Sequence, residues 1–278
     1  IPKQLAELAR TMSTPPFSSV GHGAPVAWTR RTGKGGLTVV PLSRPGTAAR
    51  WVLWLALVAV LCAVAVVPFV HREMPCSNDG ALHFFRVAAM RRSVEHGTLF
   101  SRWLPDVAFG YGVPFFNYRG PLSYYAVLAG HLVGLPLPMA QNLVYALTFV
   151  VGAAGMYLLG RDLLGGRAAL LAAVAYAYAP YRFVDAIVLG IQPEAFGLAL
   201  LPFVLWAFRR LALEGGRVRF LLAVGSLIAL YLSHNISSLL FTPLLVAYLV
   251  ALWWYYRGRG NWLQTGTAFL FAVAITAY

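Results

Sequence analysis

The run WVLWLALVAVLCAVAVVPFV, residues 51–70, carries no charged side chain over its whole length. A helix of that length crosses the ~30 Å hydrocarbon core of a bilayer. Further apolar runs lie at roughly 139–160, 166–181, 194–208, 218–233, 236–256 and 262–278. Composition agrees: 59% of the 278 residues are hydrophobic and 11% are charged, where a soluble domain carries about a quarter charged residues. The expected fold is an all-α, polytopic transmembrane helical bundle with about seven spans. A cleaved signal peptide is the alternative for 51–70, but the run is longer than such a segment and no good cleavage site follows it.

The segment before that run, 1–50, is rich in Pro, Gly, Ser and Arg without any sustained period, and reads as a disordered basic cytoplasmic tail. The chain begins with Ile1 and stops at Tyr278 inside an apolar run. It therefore reads as the N-terminal part of a longer membrane protein, with 51–278 forming a transmembrane domain. Within it, 71–138 forms a first polar and aromatic loop. PLSYYAVLAGHLVGLPLP, 121–138, has too short an apolar core to cross and is expected to be interfacial or re-entrant.

The formal charge of +13 would point to nucleic acid in a soluble protein. No nucleic-acid module is visible, and positive-inside bias accounts for the charge. With the N-terminus inside and 121–138 not crossing, the inner side holds 15 Lys/Arg and 3 Asp/Glu, and the outer side 7 and 6. A crossing at 121–138 would turn the basic loops GRDLLGGR, RRLALEGGRVR and YYRGRG outward. Cys62 and Cys76 give neither a disulfide framework nor a ligand pattern.

This orientation gathers six of the nine acids on the outer face. Asp79 in SNDGALHFFR starts a short helix, with His83 one turn on and Arg86 beside it. Read structurally, Asp79 caps that helix; read functionally, it abstracts a proton. One carboxylate is a thin site for a divalent cation. Arg119 in YRGPLSYY is either a loop residue or a phosphate contact. Arg182, Asp185, Gln192 and Glu194 interrupt two apolar runs. Charges at that depth pair or face a cavity, so an Arg182–Asp185 ion pair is the structural alternative. Glu194 suits a helix N-terminus. His234 and Asn235 sit at a tight turn that needs Asn but no His. No phosphate loop, dinucleotide fingerprint or zinc spacing is present.

DGALHFFRV, LPDVAFGYGVPFFNYRGPLSYY, APYRFVDAIVLG, PEAFGLALLPFVL and LSHNISSLLFTPLL together resemble the GT-C superfamily of integral membrane glycosyltransferases, over residues 51–278. More narrowly they resemble the bacterial membrane proteins labelled 6-pyruvoyl-tetrahydropterin synthase-related. The resemblance implies transfer of a sugar from a polyprenyl-phosphate donor to an acceptor at the outer face of a bacterial cytoplasmic membrane. It puts Asp79 in the place of the first-loop catalytic acid and Asp185 in that of a second outer-loop acid. His83, Arg86, Arg119, Arg182, Glu194, His234 and Asn235 are then candidate substrate contacts, with no certain cofactor and only weak support for a divalent cation. Many members have two neighbouring acids in the first loop. Here the neighbour is Asn78, which argues against metal dependence. The other readings are a transporter or lipid flippase, for which midplane breaks and repeats would be expected, and a non-catalytic membrane protein that keeps the fold.

Overall fold

The computed structural model describes residues 28–31, 37–40, 48–74 and 76–277. It holds two units, each taken by itself. In the first, β1 (Trp28–Arg31) and β2 (Leu37–Val40) pair antiparallel, Trp28 opposite Val40 and Arg31 opposite Leu37. The basic-tail reading missed this ribbon, whose Trp, Thr, Leu and Val residues favour strands. The rest of the tail up to residue 47 lies outside the described residues.

The second unit is built from helices. They are α1 (Ala48–Leu61), α2 (Ala63–Val66), α3 (Gly80–Glu95), α4 (Leu122–Leu132), α5 (Leu137–Leu164), α6 (Gly166–Ala177), α7 (Pro180–Phe183), α8 (Gln192–Glu214), α9 (Arg217–Tyr231), α10 (Asn235–Tyr255) and α11 (Trp262–Thr276). A 3₁₀ turn at Val67–Phe69 follows α2, and a π-helical turn at Val184–Leu189 follows α7. The all-α membrane fold expected from the sequence is therefore present.

By length and composition α5, α8 and α10 are each able to cross a bilayer. The pair Val52–Leu61 and Ala63–Phe69, bent by 54° at Cys62, makes a fourth if it counts as one span. The other three expected spans are shorter than their apolar runs: α6 has 12 residues, and α9 and α11 have 15 each. At 1.5 Å per residue these reach only about 18–23 Å. Hydropathy does not register where a helix ends. Gly165 and Gly216 separate neighbouring helices with non-helical backbone, and Ala179 takes an extended conformation before Pro180. The 11 residues of α4 are also too few to cross.

The long helix α5 is the axis of the unit. Tyr145, Phe149, Ala153 and Tyr157 along it are fully buried. Trp54 stacks on Tyr157 at 6.1 Å and Phe69 stacks on Tyr145 at 5.5 Å. The start of α1 therefore lies beside the end of α5. At that end, Asp162 takes a two-pronged bond from Arg210 (2.5 and 2.6 Å), and Glu214 pairs with Arg210 and with Arg219. The Asn261 amide donates to the Ala212 carbonyl at 2.8 Å. The basic loops after α5, α8 and α10 are thus on one end of the unit. The acid-bearing loops gather at the other.

Candidate active site

Four loops distant in sequence dock through their backbones at this second end. The amides of Asn78 and Asp79 donate to the carbonyls of Val188 and Leu189 at 3.0 and 2.8 Å. Gly190 makes this approach possible. Its φ is +69°, and a Cβ there would lie 2.3 Å from Ser77 Oγ and 2.8 Å from the Gly80 nitrogen. From α5, Gln141 donates to the Gly80 carbonyl (3.1 Å) and Tyr145 to the Gly190 carbonyl (2.7 Å). The other two loops are tied by Asn235, which donates to the Tyr118 carbonyl (2.6 Å) and accepts from the Gly120 amide (3.1 Å). The Leu122 amide donates to the Leu232 carbonyl at 2.9 Å.

Asp79 occupies the N-cap position of α3, but its φ and ψ of −106° and −5° are helical and its side chain makes no capping bond. The capping alternative therefore fails. The carboxylate is half-buried and makes no hydrogen bond or ion pair among the described residues. Its charge reaches the hydroxyls of Tyr124 and Tyr145, and Asp185 reaches that of Tyr145 as well.

His83, one turn along α3, is buried and held by Tyr124 at 2.8 Å. Arg86 donates to the same Nδ1 at 3.4 Å. Because Arg only donates, Nδ1 is the acceptor, the Tyr124 hydroxyl donates to it, and the proton of the neutral ring sits on Nε2. Burial, with Arg86, Arg119 and His234 nearby, lowers the His83 pKa to about 3. The imidazole is neutral at physiological pH. Arg86 lies 4.3 Å from the Phe115 ring centroid. Arg119 is exposed, and its charge is felt at His83, Tyr124 and His234.

Asp185 is fully buried in the π-helical turn, and neither carboxyl oxygen has a hydrogen-bond partner among the described residues. π-Helical turns are rare and concentrate at functional sites. Burial, reinforced by Glu194 and opposed by Arg182, raises its pKa to about 8. Its protonated form is favoured at neutral pH. Glu194, in the first turn of α8, accepts from Tyr181 at 2.7 Å. His234 caps α10: its Nδ1 accepts from the Ser237 amide at 3.4 Å and contacts the Ser237 hydroxyl at 2.8 Å. Burial lowers its pKa, with Glu194 opposing and Arg119 assisting.

Two candidates have other work. Arg182 forms no ion pair with Asp185. Its guanidinium donates to the Thr148 carbonyl at 2.7 Å and lies 4.9 Å from each of the Phe149 and Tyr176 rings. Asn235 spends both ends of its amide on the loop clamp. Among the described residues no three His, Cys, Asp or Glu side chains group to hold a metal ion.

An apolar groove of ≈ 510 Å³ runs down α5 from Ala140 to Val151, with Ala129 of α4 and Phe196 of α8 on its other sides. Phe196 also packs against the core around Tyr124. Sequence reasoning missed Tyr124, Tyr145 and Gln141. The signal for the first was the doubled Tyr of GPLSYY. For the others it was polar groups on an otherwise apolar helix.

Residues 119–278, more than half of the chain, match the family described as dolichyl-phosphate-mannose-protein mannosyltransferase. The matched part includes Arg119, Tyr124, Asp185, Glu194 and His234; Asp79 and His83 precede it. No curated protein and no solved structure matches the chain. The GT-C resemblance is supported at this level, while the narrower pterin-synthase-related one has no counterpart in the match. The chain belongs to the dolichyl-phosphate-mannose-protein mannosyltransferase family, and with it to the multi-pass membrane glycosyltransferases of GT-C type.

Proposed function

We propose that this protein transfers a sugar, mannose by the family's description, from a polyprenyl-phosphate donor to an acceptor hydroxyl at the outer face of the membrane. The observation that carries this reading is the Asp79 carboxylate. It starts a helix without capping it, it is half-buried, and no protein group among the described residues claims it. A carboxylate freed in this way, whose charge is felt at two tyrosine hydroxyls, is suited to general base work.

In this reading Asp79 takes the proton from the acceptor hydroxyl as its oxygen attacks the anomeric carbon. The bond from that carbon to the phosphate oxygen breaks, and polyprenyl phosphate leaves with the electron pair. Phosphate is already a good leaving group, so positioning plus one base supplies most of what the step needs. Arg86 and Arg119 hold the phosphate charge. The protonated Asp185 and the Nε2–H of neutral His83 donate hydrogen bonds to the donor. The apolar groove along α5 takes the start of the prenyl chain.

The test is to supply the full-length protein in nanodiscs with polyprenyl-phosphate mannose carrying a labelled sugar. Release of polyprenyl phosphate coupled to label on an acceptor supports the reading. Transbilayer movement of the intact donor without bond cleavage would make the protein a flippase.

A further inference from the structure

We propose that the far end of the first loop carries a binding site for neutral saccharide, separate from the Asp79 site. A cavity of ≈ 940 Å³ lies between the last turn of α3 and the segment around Trp103. Asp79 and this cavity sit at opposite ends of α3, whose 16 residues make about 24 Å.

Trp103 is the centre of the site. One face of its indole lies on Gly112, where a Cβ would come within 2.4 Å of Nε1. Only glycine, at φ +78°, leaves room for the ring. The backbone around it is pinned by paired bonds between Leu104 and Val113 (2.9 and 3.0 Å) and by the Ser101 hydroxyl donating to the Trp103 carbonyl. The indole is nevertheless 50% exposed. A large flat apolar ring held rigid and left half open is a stacking platform.

The polar walls decide what stacks there. Arg92 pairs with Asp106 at 3.3 Å, and Glu95 pairs with Arg91 at 3.2 Å. His96 turns Nδ1 to the Arg92 carbonyl at 2.7 Å. Arg102 lies 5.9 Å from the Phe100 ring centroid; the lining thus holds two guanidiniums, Arg92 and Arg102, and two carboxylates, Glu95 and Asp106, with no net formal charge to select an anion such as a lipid phosphate. What remains are planar carboxylate and guanidinium edges and the Thr98 hydroxyl beside an aromatic face. Vicinal hydroxyls of a pyranose bond such edges, and its C–H face covers the ring. Given the transferase reading above, the occupant is a distal sugar of an extended acceptor. Binding so far from the reacting carbon would supply energy for positioning.

The test is equilibrium dialysis of full-length protein in nanodiscs against labelled neutral hexasaccharides of mannose, glucose and galactose. Saturable binding of at least one is expected. Trp103→Ala should weaken it by about tenfold or more. Asp106→Asn should weaken it too, with the unfolding temperature kept, and Asp79→Asn should leave it unchanged. Absence of saturable binding to the unaltered protein, or binding unchanged in both groove variants, overturns the site. Binding that holds while no sugar is ever transferred would keep the site and remove the transferase reading.

Discussion

The amide of Asp79 donates to the carbonyl of Leu189 at 2.8 Å, joining two loops that lie 110 positions apart in the chain. This bond fixes where the Asp79 carboxylate stands, because the helix that it begins does not use its side chain.

Gly190→Ala should separate the loops. The added methyl would meet Ser77 and the α3 start at less than van der Waals distance, on a backbone at positive φ. A loss of about 1–3 kcal/mol is expected, read as a lower unfolding temperature in nanodiscs. Turnover should fall with it, because Asp79 loses its anchor.

Asn235→Ala removes a donor and an acceptor from a clamp on two backbone groups. It should destabilise the protein by about 1–3 kcal/mol. The KM for the donor in the folded fraction should stay near that of the unaltered protein. A large rise in KM with normal stability would instead show that Asn235 contacts the substrate.

Asp185 sets a pH dependence. Its folded pKa of about 8 lies above the ordinary value of 3.8, so between those values the native state holds a proton that the unfolded chain has released. Its contribution to stability is complete below about pH 4 and declines as pH rises to about 8. Asp185→Asn, which keeps a neutral hydrogen-bonding group, should therefore raise stability at pH 8 relative to the unaltered protein and leave it little changed at pH 4. His83 slopes the other way. Its lowered pKa contributes stability above about 6.5 that is lost as pH falls toward about 3. Thermal unfolding of Asp185→Asn and of the parent across pH 4–8 isolates the first effect.

How much of this was written in the sequence depends on the kind of signal. The membrane class and the all-α fold follow from apolar runs, which report burial in lipid directly. The helix boundaries did not, because breaks such as Gly165, Ala179 before Pro180, and Gly216 are averaged over by hydropathy. Asp79, Asp185 and His234 could be placed on one end by counting loops, since alternation fixes the side even when it fixes no distance. The protein bonds of Arg182 and Asn235 were hidden for a different reason. A charged or amide side chain near a loop looks the same in sequence whether it faces a ligand or a backbone carbonyl. Only the folded structure shows the bonds that they make to Thr148, Tyr118 and Gly120. Tyr145 and Gln141 were hidden among apolar neighbours, where a single polar group at helical spacing carries no label of its partner.

The central claim is that Asp79 is a base and not a cap, and one substitution separates the two. Asp79→Asn keeps the shape of the side chain and removes its basicity. The decisive measurement is the rate of labelled mannose transfer from polyprenyl-phosphate mannose, taken together with the unfolding temperature, for parent and variant in nanodiscs. The account predicts a fall in rate of about 10²–10⁴-fold with the unfolding temperature unchanged. A variant that transfers sugar at the parent rate would contradict it.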